Sequence, residues 1–169
     1  MDPVGGFSVA DEEQILTIFR ALSRGSQMSL IQIAEALLQA ERNGRTPGLK
    51  DLLGLSGSAS GGLAEVTMEL RTPHLNRRGV AHGGVICALL DEAIGMAVHS
   101  LLPEGGRAVT AQLNAHFLNP APPWTLLAKA HVVRAGKRIA VGEGEVRHQG
   151  GEVVAKGAGT WVIVQSGLE

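Results

Sequence analysis

Two glycines, Gly83 and Gly84, follow His82 at the point where a long apolar segment of the sequence begins. If that segment is a helix, the backbone N–H groups of these glycines are unpaired and lie at the positive end of the helix dipole. Glycine also lets another molecule approach the backbone closely, because it carries no side chain. Position and residue type together predict a site that polarises a carbonyl group or binds an oxyanion.

Asp91 and Glu92 lie in the middle of the same apolar segment. An ionised carboxylate in a low-dielectric environment must be paired, solvated or neutralised. Neighbouring residues on a helix point about 100° apart, so the two acids cannot share one role. We expect one acid to face a cleft or an interface and the other to meet a cation or solvent. The alternative is that both lie at the rim of the helix and are solvated.

The separation between Gly83 and Asp91 bears on how the chain assembles. A helix rises about 1.5 Å per residue, so the two residues lie about 12 Å apart along one helix. One copy of the chain cannot easily place both on the same carbonyl group. Two copies with antiparallel, facing helices could do so, and the sequence therefore predicts a homodimer whose site combines Gly83 of one chain with Asp91 of the other.

The composition limits the class of protein. The 169 residues suit one domain with a small appendage, and a hydrophobic content of 44% with only 3% aromatic residues predicts an aliphatic core. A net charge of −1 gives no indication of nucleic-acid or membrane-surface binding. The apolar runs are shorter than the ~20 residues of a spanning helix, and the acidic N-terminus is unlike a secretion signal. A single cysteine, Cys87, excludes an internal disulfide and a multi-cysteine zinc site. We expect a cytoplasmic protein with no metal, nucleic-acid or membrane partner.

The N-terminal part of the sequence predicts a helical hairpin. Ser8 and Asp11 resemble a capping box at the start of a first helix, which Gly25 is expected to end. Ser29 and Gln32 resemble a second capping box, followed by one apolar stripe at helical spacing.

Alternating apolar and polar residues predict strands in the rest of the chain. The stretch LAEVTMEL at residues 63–70 alternates cleanly, whereas the glycine- and serine-rich residues before it predict a loop. The stretch at residues 108–120, AVTAQLNAHFLNP, alternates as well. Its apolar face is expected to carry Val109, Ala111, Leu113, Ala115 and Phe117, and its polar face Thr110, Gln112, Asn114 and His116.

These elements predict an α+β fold. An antiparallel sheet of about five strands would wrap around the long central helix, which is apolar on nearly every side. We predict a helical extension over residues 1–45 and the sheet-and-helix domain over residues 46–169.

The central segment resembles a known family. The pattern N-x-x-G-x-x-H-G-G, with an aspartate nine residues after the histidine, resembles that of the hot-dog fold thioesterases of the phenylacetate-pathway type; its members here are Asn76, Gly79, His82, Gly83, Gly84 and Asp91. The later stretches VTAQLNAHFLNPA, VVRAGKRIAVGEGEV and GEVVAKGAGTWVI are similar to that family too. The resemblance covers residues 49–164 and implies a hot-dog fold.

The resemblance implies hydrolysis of acyl-CoA, or aroyl-CoA, thioesters without metal or cofactor. Asp91 matches the acid that activates the attacking water as a general base or attacks directly as a nucleophile. Gly83 matches the residue whose backbone N–H polarises the thioester carbonyl group, aided by Asn76. His82 matches the motif histidine that orders the loop or places water or thiolate. Thr110 matches a hydroxyl position that orients the water from the partner subunit.

The resemblance also implies two sites per homodimer, at the interface, and dimers that pair into a homotetramer. Gly84 is expected to contribute to substrate binding beside Gly83. The stretch RAGKRI supplies Arg134, Lys137 and Arg138, which could bind the phosphates of CoA or form an ordinary basic turn.

Three other functions remain open at the level of sequence. A hot-dog dehydratase or hydratase shares the fold but carries a different arrangement of histidine and acid. A non-catalytic acyl-CoA-binding protein would keep the ligand and dispense with Asp91. A structural protein could use the N-terminal hairpin to bind a protein partner, although the hairpin could equally cover the acyl pocket.

Overall fold

The long helix predicted after His82 lies at the centre of the fold and contacts all six strands of one sheet. The computed structural model of the protein describes residues 8–164. Residues 1–7 of the predicted helical extension and residues 165–169 of the predicted sheet-and-helix domain lie outside the described residues. In chain order the elements are α1 (Val9–Ala21), α2 (Arg24–Arg42), α3 (Leu49–Leu53), β1 (Leu55–Ser60), β2 (Leu63–Glu69), a 3₁₀ turn (Thr72–His74), α4 (Gly83–His99), β3 (Arg107–Phe117), β4 (Thr125–Ala135), β5 (Ile139–His148) and β6 (Val153–Val164).

The six strands form one antiparallel sheet in the order β1-β2-β4-β5-β6-β3. The predicted α+β architecture is therefore confirmed, with one strand more than the predicted five. The additional strand is β1, which the sequence analysis assigned to a loop because its residues are small and polar. Gly61 and Gly62 both have positive φ and join β1 to β2 in a two-residue turn, a glycine pair that is itself a hairpin signal.

The inner face of the sheet encloses α4. Its sheet-facing residues are buried, namely Ile86, Leu89, Leu90, Ala93, Ile94, Gly95, Ala97 and Val98. The predicted alternation on β2 is also confirmed, because Ala64, Val66 and Met68 are buried against this helix. Val85, Cys87 and Ala88 stay half-buried in the single chain, so the sheet leaves one side of α4 uncovered.

The outer edge of β3 has no neighbouring strand within residues 8–164, and the strand carries a β-bulge at Ala111. Before the bulge, Thr110 pairs with the buried Trp161 and so shares the inner face of the sheet. After it, Leu113 and Phe117 lie on that same face, opposite Gly159 and Ala155. The predicted separation of Thr110 from the apolar face was therefore wrong, because one extra residue shifts the alternation by one position.

The N-terminal hairpin begins as predicted and turns earlier than predicted. Ser8 caps α1 through a capping box with Asp11. The second helix is capped by Ser23, whose side chain accepts the Ser26 N–H, so Gly25 lies in its first turn. The second predicted capping box was wrong, because Ser29 lies inside α2 and donates its hydroxyl to the Gly25 carbonyl oxygen.

The outer face of the sheet carries a row of alternating charges. Glu65, Lys129, Glu145 and Lys156 lie directly opposite one another on β2, β4, β5 and β6. Lys129 pairs with Glu65 at 2.6 Å, and Lys156 pairs with Glu145 at 3.2 Å. Each carboxylate of this row is therefore paired with a lysine on a neighbouring strand.

The helices of residues 8–164 include none with the length and apolar character of a membrane span.

His74 holds the loop that leads into α4. Its side chain is 3% exposed, and its Nδ1 accepts the Arg71 N–H at 3.1 Å. Its carbonyl oxygen accepts the His82 N–H at 2.9 Å. Burial and the nearby Arg71 guanidinium lower the pKa of His74, which favours the neutral ring that this hydrogen bond requires.

Gly142 is expected to be required for contact between β5 and α4. A Cβ on Gly142 would overlap Cγ2 of Ile94 and lie 3.2 Å from the His131 carbonyl oxygen. We expect Gly142→Ala to lower the free energy of unfolding by about 1–3 kcal/mol, measured by urea denaturation. Gly25→Ala is the control, because its Cβ would meet nothing closer than 3.9 Å on a helix, and it should be neutral or stabilising. Equal effects of the two substitutions would contradict this packing.

His74 is expected to make stability depend on pH. Because its pKa is lowered in the folded state, its stabilising contribution is complete above the unfolded value of about 6.5 and is lost as the pH falls through the folded pKa. His74→Asn keeps an acceptor for the Arg71 N–H but cannot titrate. Urea denaturation between about pH 8 and pH 5 should show a shallower loss of stability in the variant. Parallel curves would rule out this role.

Candidate active site

His82 caps the first turn of α4. Its side-chain Nδ1 accepts the Gly84 N–H at 3.0 Å, so Nδ1 carries no proton and the ring proton is on Nε2. The expectation that both glycine N–H groups are unpaired was therefore wrong for Gly84. The Gly83 N–H, one residue earlier, donates to no acceptor within residues 8–164. The capping geometry leaves one backbone donor available at the positive end of α4.

Gly83, which carries the available donor, lines a small uncharged cleft. The cleft has a volume of about 320 Å³ and is lined by Ala81, Gly83, Ile86, Phe117, Leu118, Asn119, Pro120 and Ala121. A Cβ on Gly83 would lie 3.3 Å from Cζ of Phe117, so the ring packs closely against this glycine. Phe117 was predicted on the apolar face of its strand, without a role beside Gly83.

Asn76 lies in the tight turn that precedes the cap. Its Oδ1 accepts the Arg78 N–H at 2.8 Å, and its carbonyl oxygen accepts the Gly79 N–H at 2.9 Å. Gly79 has φ +76°, which explains the glycine of the motif at this position. Because Oδ1 is occupied, the part of the Asn76 side chain left for a ligand is its Nδ2 amide, which has no partner in the described part of the chain.

Asp91 is held by a residue of its own chain. The Thr110 hydroxyl donates to Asp91 Oδ1 at 2.9 Å, across the gap between β3 and the middle of α4. The bulge at Ala111 makes this contact possible, because it turns Thr110 towards the helix. Asp91 is half-buried and lies next to the edge strand β3.

Glu92 points away from this pair. It forms an ion pair with Lys50 at 3.2 Å, which links α3 to the middle of α4. The expectation that the two acids have separate surroundings is confirmed, and no pattern in the sequence pointed to Lys50.

The predicted phosphate-binding residues do not meet the glycine cleft within one chain. Arg134, Lys137 and Arg138 are exposed in and around the turn between β4 and β5. Lys137 lines a hollow that also includes Val98, at the C-terminal end of α4. Gly83 begins that helix, so its full length of about 24 Å separates the two places.

The single cysteine has the surroundings of a packing residue. Cys87 is half-buried on α4, and burial raises the pKa of its thiol, which disfavours the nucleophilic thiolate.

His99 caps the end of the helix, since its ring contacts the Gly95 carbonyl oxygen and accepts the Ala108 N–H. Residues 8–164 contain no cluster of three His, Cys, Asp or Glu side chains that could hold a metal ion.

The motif residues thus form two groups in one chain. Asn76, His82 and Gly83 lie together at the start of α4, and Asp91 with Thr110 lies about 12 Å further along the helix. The first group offers hydrogen-bond donors to a carbonyl oxygen. The second offers a carboxylate fixed by a hydroxyl group.

Comparison with known proteins places the chain in a family. Residues 78–155 match the profile of the thioesterase superfamily. The BH2602 protein of Bacillus halodurans, solved with CoA, is 31% identical and superposes with a TM-score of 0.80 over 86% of this chain and 97% of its own. That coverage is more than residues 46–169 alone can supply, so part of the N-terminal extension is matched as well.

Two further proteins are similar to this chain over most of their own length. A mutant of the phenylacetic acid degradation protein PaaI of Thermus thermophilus is 31% identical, with a TM-score of 0.62 over 68% of this chain and 97% of its own. Acyl-coenzyme A thioesterase 13 of Homo sapiens is 27% identical over 134 residues, which are 78% of this chain and 92% of the human protein. The chain belongs to the thioesterase superfamily, has its hot-dog fold and is a thioester hydrolase.

Proposed function

We propose that the protein hydrolyses acyl-CoA thioesters to the free acid and CoA, at two equivalent sites between two copies of the chain. The observation that carries this proposal is the distance along α4 between the two groups of motif residues. The available Gly83 N–H and the Asp91–Thr110 pair are about 12 Å apart in one chain and can act on one carbonyl group only across an antiparallel dimer.

The Gly83 N–H is the proposed oxyanion donor. It lies at the start of α4, belongs to a residue that lines the uncharged cleft, and has no competing acceptor in residues 8–164. A backbone donor at a helix N-terminus stabilises negative charge on a carbonyl oxygen. The Asn76 Nδ2 amide is the proposed second donor. Gly84 supports the site through the His82 cap, which uses its N–H, and not as a donor.

Asp91 of the facing chain is the proposed general base or nucleophile. As a base it removes a proton from water while the water oxygen attacks the thioester carbon, and the tetrahedral intermediate then expels the thiolate, which takes up that proton. As a nucleophile its carboxylate oxygen attacks the thioester carbon, the C–S bond breaks and the thiolate leaves, which gives a mixed anhydride. Water then hydrolyses the anhydride to the free acid and the Asp91 carboxylate, and the proton released from water passes to the thiolate. In either route the Thr110 hydroxyl fixes the carboxylate, and water can be oriented by the same pair.

The uncovered surfaces support the dimer. One side of α4 is not covered by the sheet, and the outer edge of β3 has no neighbouring strand within residues 8–164. Val109 and Phe117 of β3 are about half exposed in the single chain. A second copy packed against these surfaces would cover apolar area and complete both sites by twofold symmetry. Association of two such dimers into a tetramer stays a prediction.

The proposed substrate class rests on the relatives. The Bacillus halodurans protein was solved with CoA, and the human relative is named an acyl-coenzyme A thioesterase. In an antiparallel dimer the C-terminal end of the partner's α4 approaches the start of this one. Arg134, Lys137 and Arg138 could therefore contact CoA only from the partner chain.

Asp91→Asn is expected to lower kcat for acyl-CoA hydrolysis about a thousandfold, because the amide can neither accept the proton nor attack. Thiol release measured with a chromogenic disulfide reports the rate, and calorimetry should show that CoA esters still bind. Glu92→Gln is the matched control, since Glu92 pairs with Lys50 and should keep most of the activity. Full activity in Asp91→Asn would refute the assignment.

Mixing two inactive variants tests whether the site spans two chains. Gly83→Val should be inactive, because its side chain meets the Phe117 ring and covers the N–H. Co-expressed Asp91→Asn and Gly83→Val chains should regain about a quarter of wild-type activity, since about half of the dimers are mixed and each keeps one intact site. No recovery from folded mixed dimers would place the site within one chain.

A further inference from the structure

The turn that precedes the oxyanion donor is strongly basic. From Leu70 to Leu90 the sequence contains no acidic residue, whereas it contains Arg71, Arg77 and Arg78. Arg71 is used inside the fold, because it donates to the Leu52 carbonyl oxygen. Arg77 and Arg78 are exposed, and neither forms an ion pair with a carboxylate of residues 8–164.

The backbone fixes where these two arginines lie. The hydrogen bonds of Asn76 to Arg78 and Gly79 close the turn, and the Asn76 N–H donates to the Val80 carbonyl oxygen at 2.8 Å. The Ala81 N–H then donates to the Ala121 carbonyl oxygen at 2.9 Å, which ties the turn to the opposite wall of the cleft. Arg78 is three residues from Ala81, so its backbone lies within about 10 Å of the cleft lining.

The cleft and the turn beside it differ in charge, and this difference would orient a substrate that has an uncharged and an anionic part. The residues that line the cleft are all uncharged, so the cleft suits the uncharged part of a substrate. The turn of Arg77 and Arg78, which leads to the cleft lining at Ala81, carries only positive charge and precedes the positive end of α4. Guanidinium groups bind phosphate oxygens through paired, charge-assisted hydrogen bonds.

We propose that Arg77 and Arg78 bind the phosphate groups of the CoA carrier while its thioester carbonyl group lies at Gly83 of the same chain. This inference rests on the proposed function, because it takes CoA as the carrier. It assigns phosphate binding to the turn of Arg77 and Arg78. From the sequence, the candidates for this role were Arg134, Lys137 and Arg138, which lie near the far end of α4 and could equally form an ordinary basic turn.

Paired substrates test the inference. An acyl-CoA and the N-acetylcysteamine thioester of the same acyl group differ in the phosphate-bearing part of the carrier. For the Arg77→Gln/Arg78→Gln double variant, we expect KM for the acyl-CoA to rise about tenfold while kcat changes less than about twofold. The kinetics of the N-acetylcysteamine thioester should not change. The difference should shrink as salt is added, because the arginines are exposed.

Two further double variants complete the design. Arg20→Gln/Arg42→Gln removes the same charge from exposed positions on α1 and α2 and should leave the KM for acyl-CoA unchanged. Arg134→Gln/Arg138→Gln tests the other basic turn. A selective loss of acyl-CoA affinity in that variant, with none in Arg77→Gln/Arg78→Gln, would overturn the inference.

Other outcomes are equally decisive. An equal loss for both substrates would show that the arginines only support the loop, and no loss for either would show that they bind nothing; each overturns the inference. Calorimetry with CoA and with pantetheine separates this result from the fate of the proposed function. Arginine-dependent binding of CoA but not pantetheine, without turnover of any acyl-CoA, would defeat the proposed function and uphold the phosphate site.

Discussion

The hydrogen bond from the Gly84 N–H to Nδ1 of His82 determines which backbone donor of α4 remains available. A helix begins with several N–H groups that have no partner in the helix itself. Here the His82 side chain accepts the Gly84 N–H and leaves the N–H of Gly83, a residue that lines the cleft, without a partner in residues 8–164. The same bond fixes the ring of His82, its tautomer and the direction in which the chain enters the helix. The site at this end of the molecule follows from that one contact.

Strand β3 contacts both parts of the candidate site. It runs antiparallel to α4, so Phe117 packs beside Gly83 while Thr110 reaches Asp91. The bulge at Ala111 lies between these two contacts and changes which side chains face the helix. Without that extra residue, a strand that turned Phe117 inwards would turn Thr110 outwards, because side chains alternate along a strand. The irregularity therefore belongs to the site and is not a local defect of the sheet.

Much of the fold was predictable because its signals are local. The alternation on β2 and the apolar length of α4 each follow from residues that are neighbours in sequence, and both were confirmed. Strand β1 was missed because small polar residues resemble a loop, although the Gly61–Gly62 pair was a usable hairpin signal. The bulge at Ala111 leaves no mark in the composition, since it depends on pairing with β6.

The candidate site was predictable as a set of residues but not as an arrangement. The motif identified His82 and Gly83, and simple helix geometry separated Gly83 from Asp91. The motif could not show that the His82 side chain accepts the Gly84 N–H, because this hydrogen bond depends on the rotamer of His82. The ion pair of Glu92 with Lys50 joins residues that are far apart in sequence, and such long-range pairs have no periodic signal.

The row of alternating charges on the outer face of the sheet has a consequence for how anions find the molecule. Glu65, Lys129, Glu145 and Lys156 cancel one another over distances shorter than the Debye length of about 8 Å in physiological salt. Beyond that length this face exerts almost no field, and a diffusing polyanion is neither drawn to it nor repelled. Uncompensated positive charge remains at the turn of Arg77 and Arg78. Arg134, Lys137 and Arg138, near the other end of α4, are likewise exposed and have no ion pair within residues 8–164. Electrostatic steering would therefore favour encounters near the two ends of α4 over encounters at the outer face of the sheet.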